Sequence, residues 1–116
     1  MTLRVHGIGN CDACRKARRW MEDQGLEYEW VDLREHPPAA ETVERWLDQA
    51  GVDRLVNRRS TTWRNLPANQ RPAPDFDGWA AFLLDHPTLL KRPVFDDGAR
   101  IRLGFDQDAR EWLAAG

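Results

Sequence analysis

Cys11 and Cys14 are the residues best able to do chemistry. They lie in GIGNCDACRKARRW, positions 7 to 20, and are the only 2 cysteines among 116 residues. The spacing admits three readings: a redox pair, half of a zinc site, or two small apolar residues where a helix begins. At a loop-to-helix junction the Cys11 sulfur would lie near unpaired backbone N–H groups and the positive end of the helix dipole, which both favour thiolate. Arg15 and Lys16 add positive charge one turn on. Cysteines so placed have pKa values of about 3.5–7.5, against about 8.5 for a free thiol, and the thiolate is the reactive form. Cys14 opens an apolar stripe with Ala17 and is expected to be the more buried sulfur. Cys11 would then attack and Cys14 resolve. Structural zinc usually takes four ligands. Only His6, His36 and His86 could join the cysteines, none at a familiar ligand spacing. No metal site is expected.

The elements that must position this pair follow from periodicity. TLRVH (2–6) alternates apolar and polar residues and reads as a short strand, with His6 on its polar face. GIGN breaks it. Asn10 or Cys11 is the N-cap of a helix carrying Cys14, Ala17 and Met21, with Gly25 at its C′ position. LEYEWVDLR (26–34) alternates again. A strand, a crossover helix and a second strand imply a parallel pair with a right-handed connection. A CxxC that opens the helix of such a unit favours the redox reading.

After EHPP (35–38), Val43, Trp46, Leu47 and Ala50 mark an amphipathic helix ended by Gly51. Residues 52–75 are polar and arginine-rich, with short helical turns. Phe76, Trp79, Phe82 and Leu83 share one helical face, and His86-Pro87 ends that helix. RPVFDDGARIRLGF (92–105) holds two apolar runs around Asp97-Gly98, a hairpin signal. Phe105, Ala109, Trp112 and Leu113 mark a last helix. The six tryptophans read as core, except Trp63, which stands in a polar stretch and either lines a cleft or covers the middle segment. The order βαβ, helices, ββα is the thioredoxin plan: an α/β fold with a mixed four-stranded sheet. One domain of 1–116 is expected, with a core of 1–34 and 91–116 and a helical subdomain of 35–90.

Composition narrows the function. There are 17 basic and 19 acidic residues, a net charge of -2, which argues against whole-surface attraction to nucleic acid or anionic membrane. No apolar run approaches the roughly 20 residues that span a bilayer. MTLRVHGIGN has no apolar secretory core. A cytoplasmic location is expected, where cysteines are normally kept reduced.

Five separated stretches together resemble the ArsC/Spx family of thioredoxin-fold proteins: GIGNCDACRKARRWM (7–21), YEWVDLRE (28–35), LVNRRSTTWRNL (55–66), HPTLLKRPVF (86–95) and LGF (103–105). They cover nearly the whole chain in the family's order. The family includes glutaredoxin-coupled arsenate reductases, Spx-type regulators that carry a CxxC switch and bind the RNA polymerase α subunit, and a Gram-negative branch proposed to be glutathione-dependent thiol reductases. GIGNCD, NRRSTTWRNL and LLKRPV are most similar to that last branch, although Cys14 is an Spx-like feature. The resemblance implies that Cys11 is the nucleophile and that Arg92 and Arg59 bind an anionic group. It implies a cis Pro93 facing Cys11, with backbone left free to pair with an extended substrate. Asn10 orients the loop or caps the helix. Where the reductases carry a further arginine, this chain has Gly104 and Phe105. Gly51 and VDRLVNRR lie where the Spx type contacts its partner. The implied function is a thiol-disulfide oxidoreductase with no bound cofactor and glutathione or glutaredoxin as reductant. The alternatives are a redox-switched regulator of RNA polymerase and an arsenate reductase.

Overall fold

The sheet is built around a short interior strand. In a computed structural model, which describes residues 2–115, β1 (Arg4–Gly7) pairs in parallel with β2 (Glu29–Asp32), and on its other side antiparallel with β3 (Val94–Asp96). β3 in turn pairs antiparallel with β4 (Ile101–Leu103), giving the order β2-β1-β3-β4. This is the mixed four-stranded α/β sheet of a thioredoxin-like fold. Met1 and Gly116, the ends of the expected domain range, lie outside the described residues.

The chain divides into two units, one holding residues up to His36 and from Arg92 onward, the other Pro37–Lys91. In the sheet unit, α1 (Asp12–Asp23) and α6 (Gln107–Ala115) supply Ala17, Met21, Ala109 and Leu113 to a core with Val5 and Phe95. Helix α1 ends as its glycine predicts. Gly25 takes φ +68°, Gly25 N–H donates to Glu22 O at 3.1 Å, and Leu26 N–H donates to Met21 O at 2.9 Å. That is a Schellman end. Helix α6 starts beside Asp106, whose carboxylate accepts from Ala109 N–H at 2.8 Å.

The second unit holds α2 (Ala40–Ala50), α3 (Val52–Leu55), α4 (Thr61–Asn65) and α5 (Trp79–Asp85). Val43, Trp46, Leu55, Trp79, Leu83 and Leu89 are buried. Gly51, at φ +80°, separates α2 from α3. Ser60 caps α4, its side chain accepting from Trp63 N–H at 3.1 Å. His86 terminates α5, with its ring Nδ1 3.0 Å from Phe82 O.

Four expectations change. The first strand runs 4–7 rather than 2–6, and His6, assigned to the polar face, is buried. His6 stands in register with Val94, itself fully buried, so this face of the sheet is covered rather than open to water. The 76–87 helix starts only at Trp79, so Phe76 precedes it and is 47% exposed. The β3–β4 loop spans Asp97–Arg100, with Asp97 N–H donating to Arg100 O at 3.1 Å, which makes Gly98-Ala99 its centre. The Asp97 carboxylate accepts from Ala99 and Arg100 N–H at 2.8 and 2.7 Å, and this side-chain cap sets the frame. Of the tryptophans, Trp46 and Trp79 are buried, while Trp20, Trp30, Trp63 and Trp112 are half-buried. Trp63 covers its unit. It stacks on Trp79 with ring centroids 6.4 Å apart, and the Arg58 and Arg71 guanidiniums lie 5.7 and 5.5 Å from its ring.

Candidate active site

Cys11 occupies the N-cap of α1, with φ -94° and ψ 124°. Its N–H donates to Ile8 O at 3.1 Å and its carbonyl accepts from Arg15 N–H at 3.0 Å. The first bond closes the turn Ile8-Gly9-Asn10-Cys11, and the second is the first turn of the helix. Asn10 therefore does not cap. It is exposed on the turn just before the nucleophile position. The Asp32 carboxylate, at the end of β2, accepts from Arg34 and Glu35 N–H at 2.8 and 3.1 Å. It is held below the usual carboxylate range, first by Glu35 N–H; Arg34 and the N–H of Gly9 act in the same direction. Asp32 thus reaches the loop that precedes Cys11, a role the sequence did not announce.

The two sulfurs stand in opposite environments. Both cysteines are free thiols; Cys11 is half-buried and Cys14 fully buried. Burial acts to raise the Cys11 pKa, but it is outweighed by Cys14 N–H, the Cys14 thiol and the Arg92 guanidinium, and the net shift is downward. Burial pushes the Cys14 thiol up to about 12. The Ile8 N–H acts against that rise, the charge on Cys11 adds to it, and Arg92 acts weakly against it. Desolvation disfavours a buried anion, while a nearby cation and N–H donors favour one. The half-buried Cys11 is thus shifted toward its anion, while the buried Cys14 beside it is shifted away from one.

Cys14 is also held from below. A Cβ on Gly7 would lie 2.5 Å from Cys14 Sγ and 2.7 Å from Trp30 Cη2. The end of β1 must therefore be bare for both groups to sit there. Neither Gly7 nor Trp30 stood out in the sequence, because nothing local marks a glycine needed for close approach.

Arg92 lies just before β3, within electrostatic reach of Cys11. The Arg92–Pro93 peptide is cis, as the resemblance implies. Pro93 is buried, and its carbonyl accepts from Gly104 N–H at 2.9 Å. That carbonyl is engaged within the sheet unit, where β4 lies beside β3. Gly104 has φ +75°, a conformation that an arginine in its place would adopt only with strain. Arg59 belongs to the other unit, exposed on the turn before α4, with its N–H donating to Asn57 Oδ1 at 3.1 Å. Its neighbour Arg58 pairs with Asp53 at 3.1 Å. Among the described residues no three His, Cys, Asp or Glu side chains are grouped to hold a metal ion, and no helix is long and apolar enough to cross a membrane.

The sequence pattern of the ArsC family matches residues 6–113. The chain is 35% identical over 113 residues to an uncharacterised protein of Haemophilus influenzae, covering 97% of each chain. It is 28% identical over 101 residues to the global transcriptional regulator Spx of Bacillus subtilis, covering 85% of this chain and 76% of that protein. A solved arsenate reductase (ArsC) related protein from Brucella melitensis has a TM-score of 0.76 and 34% identity, over 98% of this chain and 95% of that one.

Proposed function

The chain belongs to the ArsC family, and from that premise we propose that it is a thiol-disulfide oxidoreductase with Cys11 as the attacking thiolate and glutathione as reductant. One observation carries this reading: two thiols three residues apart, one stabilised as an anion beside Arg92 and the other dry and protonated. Structural thiols have no need of that contrast.

In the proposed cycle, the Cys11 thiolate attacks one sulfur of a disulfide R–S–S–R′. A Cys11–S–S–R bond forms, and R′S⁻ leaves and takes a proton from water. A second thiol then resolves the mixed disulfide. Cys14 can do so by losing its proton and attacking Cys11 Sγ, which expels RS⁻ and forms Cys11–Cys14. Two glutathiones then reduce that disulfide and become one oxidised glutathione. Alternatively, where R is glutathionyl, external glutathione attacks the mixed disulfide, forms oxidised glutathione and restores the Cys11 thiolate. Formation of the mixed disulfide removes the Cys11 negative charge that opposes Cys14 ionisation, but burial, the larger cause, remains. External resolution is therefore favoured at neutral pH. Arg92 holds an anionic group of the substrate, with Asn10 next to Cys11 on its turn and Pro93 next to Arg92 completing the substrate side.

The test is glutathione-dependent reduction of hydroxyethyl disulfide, followed as NADPH consumption with glutathione reductase. Cys11→Ser should reduce turnover to background, whereas Cys14→Ser should retain most of it. Full activity in Cys11→Ser ends the mechanism.

The likeness to Spx and the CxxC pair favour a second reading, a redox-switched regulator that binds the RNA polymerase α subunit. Titrating the reduced and oxidised protein against the purified α C-terminal domain tests it. No binding in either state removes it.

A further inference from the structure

Cys14, in the first turn of α1, is fully buried. A side chain on the inner face of a first helical turn normally packs against other side chains. Here the sulfur rests on backbone: the Cβ that Gly7 lacks would stand 2.5 Å from Cys14 Sγ, closer than real Cβ contacts come. The same missing atom would stand 2.7 and 3.1 Å from Trp30 Cη2 and Cζ3. One point in space is thus bordered by strand backbone, the Cys14 sulfur and the edge of an indole. The indole is itself held in place. Trp30 lies on β2 in register with Val5, and the Arg18 guanidinium sits 4.3 Å from its ring centroid. Arg18 Nε donates to the Tyr28 hydroxyl at 3.3 Å, and that hydroxyl donates to Glu22 at 3.1 Å. Gly9, two residues along from Gly7, differs completely: a Cβ there would meet nothing within 4 Å.

We propose that Gly7 and Trp30 are positioning residues for the Cys14 thiol: the bare backbone of Gly7 and the edge of the Trp30 indole form a seat that keeps the Cys14 sulfur dry and close to the strand, so that a mixed disulfide on Cys11 passes to an external thiol before Cys14 can take it. The proposal rests on the thiol-exchange reading for its consequence, but the seat itself is a statement about Cys14 alone. A methyl on Gly7 must push the sulfur off the strand, because the backbone under it cannot yield. Shortening Trp30 opens the seat from the side. Both changes admit water to the sulfur, and hydration favours the thiolate.

The experiment measures second-order rates of iodoacetamide alkylation at Cys11 and Cys14 separately, between pH 6 and pH 10, in the parent, Gly7→Ala, Trp30→Leu and Gly9→Ala. Cleavage before Asp12 puts the two cysteines on different peptides. Thermal melting monitored by circular dichroism identifies the folded variants. In Gly7→Ala and Trp30→Leu, Cys14 alkylation near neutral pH should rise about tenfold or more, the effect of one unit of pKa. Cys11 should keep its rate within about twofold, and Gly9→Ala should match the parent at both cysteines. Treatment with oxidised glutathione should then give more internal disulfide and less Cys11 adduct in the two seat variants. If Gly7→Ala does not fold, Trp30→Leu decides. Cys14 as unreactive in a folded seat variant as in the parent overturns the proposal. A parent Cys11 no faster than a free cysteine defeats the thiol-exchange reading instead and leaves the Cys14 result to stand by itself.

Discussion

At the scale of the residue, the chemistry depends on how two identical side chains are made unlike. Cys11 is lowered and Cys14 raised, and Arg92 acts toward the anion at both. Removing Arg92 takes away a favourable charge and hydrogen-bond partner from the Cys11 thiolate, so Arg92→Ala should raise the Cys11 pKa. Its alkylation profile should move to higher pH, with the rate near neutral pH falling several-fold, and Arg92→Lys should recover part of it. A profile identical to the parent would show that the Cys14 N–H and thiol favour the Cys11 anion without Arg92. Cys14 gives a prediction of the opposite sign, in stability. Its folded pKa of about 12 lies well above that of a free thiol. The unfolded chain therefore loses this proton first as pH rises. The contribution is complete below about pH 9 and drains away toward pH 12, at up to about 1.4 kcal/mol per pH unit for one proton. Cys14→Ala should show a shallower alkaline loss of stability than the parent in urea titrations between pH 8 and pH 10.5. Parallel curves would mean that the thiol ionises with no penalty from burial.

At the scale of the element, α1 couples the site to the core. Its first turn carries Cys11 and Cys14, the same stripe continues through Ala17 and Met21 into the core, and Gly25 ends it. Anything that loosens the helix therefore loosens the sulfur pair. Gly25→Ala forces a Cβ into the left-handed region at φ +68°. It should cost about 1–2 kcal/mol, read as a lower urea midpoint at an unchanged slope. No neighbour lies within 4 Å of that Cβ position, so the cost is conformational and Gly25→Asn should lose less. The C-terminal ends of α1, α2 and α5 were legible because glycine and proline act over three or four positions, whereas the start of α5 was not. The β3–β4 loop was not, because Asp97 accepts two backbone N–H groups and recentres it one residue along. Competition between a side-chain acceptor and the I′ turn is not visible in the dipeptide.

At the scale of the whole molecule, the chain carries one buried centre in each unit. Phe95 is fully buried in the sheet unit and Trp46 fully buried in the helical unit. Phe95→Ala and Trp46→Ala should each cost about 3–5 kcal/mol, checked by chemical denaturation followed by circular dichroism. A loss below about 1 kcal/mol at either position would mean that the unit collapses around the void. The division near residues 36 and 92 follows the composition, with EHPP at one junction and KRP at the other.

The sequence by itself determined the order of elements, the parallel β1–β2 pair, the terminal hairpin, the family and the place of Cys11 at a helix start. All are written in residue type and short-range spacing, which the backbone reads locally. Tertiary structure decided what those patterns cannot encode. His6 is buried because the sheet face it shares with Val94 is covered, and the Pro93 carbonyl is taken because β4 lies alongside. Cys14 is dry because a glycine on one strand and an indole on the next leave it a seat. Desolvation and close approach depend on which atoms meet across the fold, and residues far apart in the chain supply them.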